Sequence, residues 1–183
     1  MARYVEEAPL SLPDSGAAAE GFAGAIDRAL DAVGRGCAWL TLAIVLLMAV
    51  DVLLRYAFSI GSVWAQELEW HLLAPLVLVG MTYALQKGDH VRVDIFYAKY
   101  SPRTQALVDL FSALLAVAFG VLVIRYSVHF VAQSYAVQEI SSDPGGLTHR
   151  WLLKALIPAG FALFALQAAA QALRAFLRWK RAP

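Results

Sequence analysis

The chain has 183 residues, 60% hydrophobic and only 16% charged, with a formal net charge of +1. A mean hydropathy of +0.60 leaves too little polar surface to solvate an ordinary globular domain, so lipid must cover much of it. The basic residues form no groove-lining patch for nucleic acid, and a single cysteine, Cys37, excludes an intramolecular disulfide or a thiol–disulfide relay.

Residues 1–21 are rich in Ala, Pro, Ser, Gly and Glu, and predict a flexible cytoplasmic tail. The first residues lack the basic and apolar regions of a cleaved signal peptide, so the first span is expected to be its own insertion signal. From Phe22 the pattern becomes amphipathic, with Phe22, Ile26, Leu30 and Val33 on one face and Asp27, Arg28, Asp31 and Arg35 on the other. That spacing predicts an interfacial helix leading into the membrane.

Four apolar runs then reach the roughly 20 residues that a helix needs to cross a bilayer core of about 30 Å. They predict spans of about 36–54, 68–86, 106–131 and 153–176, inside a membrane domain of 22–179 followed by a short tail of 180–183. None alternates with a period of two, and backbone groups in lipid must be satisfied within the segment, so helices are favoured over a barrel. The fold class is an all-α integral membrane protein.

Asp51 and Arg55 stand one turn apart at the end of span one and predict an i,i+4 ion pair. The short loop 56–66 carries Tyr56, Phe58 and Trp64, with Trp70 beyond it, rings that suit the headgroup level. Glu67 and Glu69 open span two but point about 200° apart on a helix, so they form no acid/base pair. Pro75 predicts a bend, and Lys87-Gly88-Asp89 a stop. The segment 91–100 suits an interface-parallel stretch ending at Ser101-Pro102.

Span three is expected to overshoot the bilayer, with helical patterning to about Val137. Asp109 and Arg125, near its inner and outer ends, are about 24 Å apart and need separate partners. Ser112, Ala116 and Gly120, Gly80 and Ala84, and Ala155, Ala159, Ala165 and Ala169 are small-residue ridges for close helix approach. Residues 141–146, Ser-Ser-Asp-Pro-Gly-Gly, predict an outer turn. His71 and His129 are the pair that would ligate a haem in a four-helix bundle, the alternative reading of the chain as a membrane anchor of a redox enzyme.

Arg28, Arg35, Lys87, Arg92, Lys99, Arg103, Arg174, Arg178, Lys180 and Arg181 fall on one side of the predicted spans, while the opposite loops hold only Arg55, Arg150 and Lys154. The positive-inside rule therefore places both termini in the cytoplasm. No span is broken by the Gly/Pro pairs that build a midplane substrate site, and no catalytic set, metal-ligand spacing or cofactor motif is present.

Arg55-Tyr56, the run Trp64-Ala65-Gln66-Glu67-Leu68-Glu69 and the element Gly88-Asp89-His90-Val91-Arg92-Val93-Asp94 together resemble the small membrane subunit of tripartite ATP-independent periplasmic (TRAP) transporters. Ser142-Asp143-Pro144-Gly145-Gly146-Leu147, Arg150-Trp151-Leu152-Leu153-Lys154 and Ile157-Pro158 are similar to its mannitol, chloroaromatic and 2-oxo acid branch. The sequence departs from the broader pattern at Gln66, where many members carry a second acid, and lacks their proline before the tryptophan. The resemblance implies a bacterial inner-membrane subunit without enzymatic activity or cofactor, bound to a large permease and served by a periplasmic solute-binding protein, importing an organic acid on a sodium gradient. It also implies a stationary scaffold role. Arg55, Trp64, Glu67, Glu69, His90, Arg92, Asp94 and Arg125 are then the candidate partner-contact residues.

Overall fold

The computed structural model describes residues 14–88 and 97–182. They form four helices: α1 (Asp14–Phe58), α2 (Val63–Lys87), α3 (Pro102–Ala136) and α4 (Arg150–Arg181). All four are long and apolar enough to cross a membrane, and only 11% of the apolar window of α1 or of α3 is buried within the chain. The rest of that surface requires lipid or another protein.

Local chemistry sets the helix ends. α1 and α2 are joined by residues 59–62, where Ser59 takes a left-handed φ of 55° and Ser62 caps α2 by accepting from the Ala65 N–H. Gly88, at φ 74°, stops α2 as its sequence predicts, turning its N–H back to the carbonyls of Ala84 and Leu85. Ser101 caps α3 through the Thr104 N–H, and Pro102 occupies the first turn, where no amide donor is needed. α3 ends in a Schellman turn: the Glu139 N–H bonds the Ser134 carbonyl at 3.1 Å and the Gln138 N–H bonds that of Tyr135 at 3.1 Å. Gln138 supplies the positive φ usually left to glycine.

α1 is unbroken from Asp14, so the amphipathic stretch and span one are a single helix. Part of the apolar face expected to lie on the membrane surface is taken up inside the protein, while Val33 stays exposed. Ala23, Ile26 and Leu30 are buried against Ala170 and Leu163 of α4.

α4 touches all three other helices, and its pairing with α3 is the most extensive in the chain. The reason lies in a seven-residue repeat. The buried residues of α3 are Ala106, Ala113, Gly120, Ser127 and Ser134, a seam of small side chains that keeps one face of the helix on its partner. At its centre a Cβ on Gly120 would lie 3.0 Å from the Ala165 Cβ and 3.4 Å from the Phe161 carbonyl oxygen. Two further close approaches lock the bundle: Gly34 of α1 against the Tyr83 ring, and Gly160 of α4 against Leu78 of α2.

Of the expected small-residue ridges, Gly120 and Ala165 meet, while Ser112 and Gly80 are exposed. The candidate contacts His90, Arg92 and Asp94, and most of the stretch 91–100, lie outside the described residues.

Candidate functional site

Polar side chains in this chain collect in two layers, one at each end of the bundle. At the end bearing the two termini, Asp27 of α1 is the hub. Its carboxylate accepts from the Arg174 guanidinium and, at 3.1 Å, from the fully buried Gln167 amide. Its backbone carbonyl accepts from Gln86 Nε2 at 2.9 Å. Around it, Lys87 pairs with Asp31 at 3.0 Å, Arg178 with Asp109 at 3.0 Å, Tyr97 donates to Asp109 at 2.9 Å, and Gln171 donates to the Leu85 carbonyl at 2.5 Å. The partner expected for Asp109 is thus α4.

At the opposite end Glu67 is the hub. Although it stands in the first turns of α2, it is only 3% exposed, because the loop between α3 and α4 folds over it. One carboxylate oxygen accepts from the Ser141 hydroxyl and the other from the Leu147 N–H at 2.5 Å. The loop is shaped to make both contacts. Pro144 and Gly145 form a tight turn closed by the Gly146 N–H on the Asp143 carbonyl at 3.0 Å, with Gly145 at φ 82°. The Ser141 N–H bonds the Leu147 carbonyl at 3.1 Å. Gly146 leaves the room, since a Cβ there would stand 2.8 Å from Glu67 Oε2 and 2.5 Å from Ser141 Cβ.

A second carboxylate supports the same layer. Glu139 accepts from Lys154 Nζ at 2.5 Å and from the Ser134 hydroxyl at 2.7 Å, and its backbone carbonyl accepts from the first N–H of α4 at 3.1 Å. The Lys154 ammonium, with the Ser134 hydroxyl, holds the Glu139 carboxyl below the usual range.

Among the other candidate residues, Arg55 pairs with Asp51 at 2.5 Å as expected, with Asp51 buried and Arg55 reaching outward. Trp64 is 49% exposed. Glu69 is half-buried and takes no part in the Glu67 cradle. His71 Nδ1 lies 2.6 Å from the Glu67 carbonyl with its ring edge-on to Trp70, whereas His129 is exposed on α3. Among the described residues no group of three or more His, Cys, Asp or Glu side chains is placed to hold a metal.

Arg125 is different in kind. The antiparallel register that sets Gly120 against Phe161 and Ala165 carries Arg125 to the level of residues 156–160 of α4, where Gly160 meets Leu78 of α2. On α2 the charged residues that flank the apolar run, Glu69 and Lys87, are about 27 Å apart, and on α1 Arg35 and Asp51 are about 24 Å apart. Arg125 therefore lies in the apolar layer between the two polar ones, nearer the layer that holds Lys154 and about 24 Å along α3 from Asp109. It is exposed on the surface of the bundle. An unpaired Arg costs up to about 3 kcal/mol at the bilayer centre on insertion scales, and less toward its edges.

Residues 44–178, more than half of the chain, match the family described as "Tripartite ATP-independent periplasmic transporters, DctQ component". The chain is 28% identical over 105 residues to the "Putative TRAP transporter small permease protein" of Haemophilus influenzae, covering 57% of this chain and 65% of that one. It is 29% identical over 82 residues to the "C4-dicarboxylate TRAP transporter small permease protein DctQ" of Vibrio cholerae, covering 45% of this chain and 35% of that one. The matches thus span less than two thirds of either relative. The chain belongs to the DctQ component family of TRAP transporters, a family of inner-membrane transporter subunits rather than enzymes. Membership leaves the haem-anchor alternative without support.

Proposed function

We propose that the chain is the small, stationary subunit of a sodium-driven, binding-protein-dependent secondary transporter, held to a large permease subunit and serving the import of an organic acid. The observation that carries this reading is the family match over 44–178 on four helices that run unbroken through the membrane level. Carriers typically build their site from discontinuous helices near the midplane, and here the polar groups, Arg125 apart, mostly tie helix ends together. A rigid bundle stapled at both ends suits a scaffold. The printed name of the Vibrio relative, a C4-dicarboxylate system, supports a carboxylate solute, and the loop motifs point to the mannitol, chloroaromatic and 2-oxo acid branch.

The excess of cations in the layer around Asp27 supports cytoplasmic termini. In that orientation His90, Arg92 and Asp94 are proposed to dock on the cytoplasmic side of the permease, and Trp64 and Glu67, with the loop that covers Glu67, to lie near the docking site of the solute-binding protein.

Reconstitution tests the reading. Proteoliposomes should take up a radiolabelled carboxylate only when this chain, the large permease, the binding protein and an inward sodium gradient are all present. Uptake by this chain alone, or failure of the tagged chain to retrieve a large permease from membranes, would overturn it.

A further inference from the structure

The depth of Arg125 is a problem that the chain does not solve internally. Ser134, in the polar layer at the far end of α3, is about 13 Å away along the helix by the 1.5 Å rise, too far for the two side chains to meet. At 100° per residue, Arg125 is also about 140–160° around α3 from Gly120 and Ser127, the seam on α4. No acceptor meets it among the described residues. Ala118 and Ala132, one heptad to either side and both exposed, leave a shallow path along which a second helix backbone can approach closely.

We propose that Arg125 anchors an intramembrane ion pair between subunits: a transmembrane helix of the large permease lies along the outward face of α3 and presents a carboxylate to the guanidinium. This rests on the reading of the chain as a permease-bound subunit. Charge complementarity selects the occupant. The described acidic side chains sit toward the two ends, with Asp27, Asp31 and Asp109 at one and Asp51, Glu67, Glu69, Glu139 and Asp143 at the other. A second copy of this chain would therefore offer no carboxylate at the depth of Arg125, and twofold pairing across α3 would set arginine against arginine. Lipid tails offer no acceptor at all. A different membrane chain that buries an acid at the depth of Arg125 satisfies both needs, because each charge offsets part of the other's desolvation penalty.

The test is co-expression with the large permease and retrieval through a tag on this chain. Relative to the wild-type complex, Arg125→Leu should retrieve at least ten-fold less permease, Arg125→Glu essentially none, and Arg125→Lys an intermediate amount. The isolated Arg125→Leu chain should melt in detergent at or above the wild-type temperature, since no internal contact is lost. Arg125→Glu should recover retrieval when one intramembrane acid of the permease is changed to arginine. If the wild type retrieves permease and Arg125→Leu retrieves as much, the ion pair is overturned while the subunit reading stands. A wild type that retrieves none defeats the subunit reading itself. Melting of isolated Arg125→Leu far below wild type would assign the residue an internal role and overturn the proposal equally.

Discussion

Glu67 accepts two hydrogen bonds from one loop, and its removal would leave the Ser141 hydroxyl and the Leu147 N–H facing a cavity. Glu67→Ala should therefore free the loop while leaving the helices intact. In a Cys37→Ala background, a cysteine placed at Ser142 should be labelled by a membrane-impermeant maleimide several-fold faster in the Glu67→Ala chain. Glu67→Gln keeps one acceptor oxygen and should lie between. Gly146→Ala should resemble Glu67→Ala, because its methyl group would occupy the space of the carboxylate. Unchanged labelling in all three would mean that the loop holds its shape without Glu67. Glu139 makes a separate pH prediction. Its folded carboxyl titrates below the usual value near 4.3, so its contribution is complete above that value and lost as pH falls through the lower folded one. Melting temperature should drop over that acidic window, and Glu139→Gln should flatten that part of the profile. The sequence marked Glu67 as a candidate but not its partner. Nothing local links position 67 to residues 141–147, and only the meeting of α2 with the loop between α3 and α4 makes the cradle. The Asp51–Arg55 pair was legible because its geometry is contained in one helical turn.

At the scale of elements, the pairing of α3 with α4 depends on side chains small enough for the backbones to approach. The sequence suggested a ridge of Ser112, Ala116 and Gly120, yet the buried set recurs every seven residues from Ala106 to Ser134. The two patterns share Gly120, Ala116 packs beside the seam and Ser112 falls off it, because a four-residue step drifts around the helix while a seven-residue step stays on a gently supercoiled seam. In an alanine-rich helix both patterns are present, and only the partner's position decides between them. Gly120→Leu should force the helices apart and destabilise the isolated chain by about 1–3 kcal/mol or more, seen as a lower melting temperature in detergent. Gly80→Leu is the control, since a Cβ there meets nothing within 4 Å. Equal effects at the two positions would refute the seam. The stop of α2, by contrast, was readable from Gly88, whose backbone preference acts locally, whereas α3 begins at Pro102, ahead of the expected 106.

Taken as a whole, the molecule is an apolar bundle stapled at both ends, and the staple at the end bearing the termini decides what becomes of the amphipathic part of α1. On sequence alone that stretch has two possible homes, the membrane surface or a neighbouring helix, because both accept an apolar face with charged flanks. The structure resolves the choice through Asp27, which reaches α4 through Arg174 and Gln167 and α2 through its own carbonyl. These contacts hold Ala23, Ile26 and Leu30 on Ala170. The ion pair alone is partly solvated, with side-chain exposures of 34% and 28%, so screening reduces it. The buried Gln167 amide, left without its acceptor, carries the larger share. Asp27→Ala should therefore loosen this end by about 1–2 kcal/mol in total, and Asp27→Asn should retain part of it. Hydrogen exchange on the isolated chain in detergent should show residues 23–34 of α1 exchanging about ten-fold faster in Asp27→Ala, with the loop over Glu67 at the far end unchanged. Lys87→Ala, which removes only the exposed pair with Asp31, should leave the same amides near wild type. If Asp27→Ala loosened both ends together, the two layers would act as one cooperative unit. If it loosened neither, the packing of Ile26 and Leu30 would suffice to hold the helix down without the polar hub.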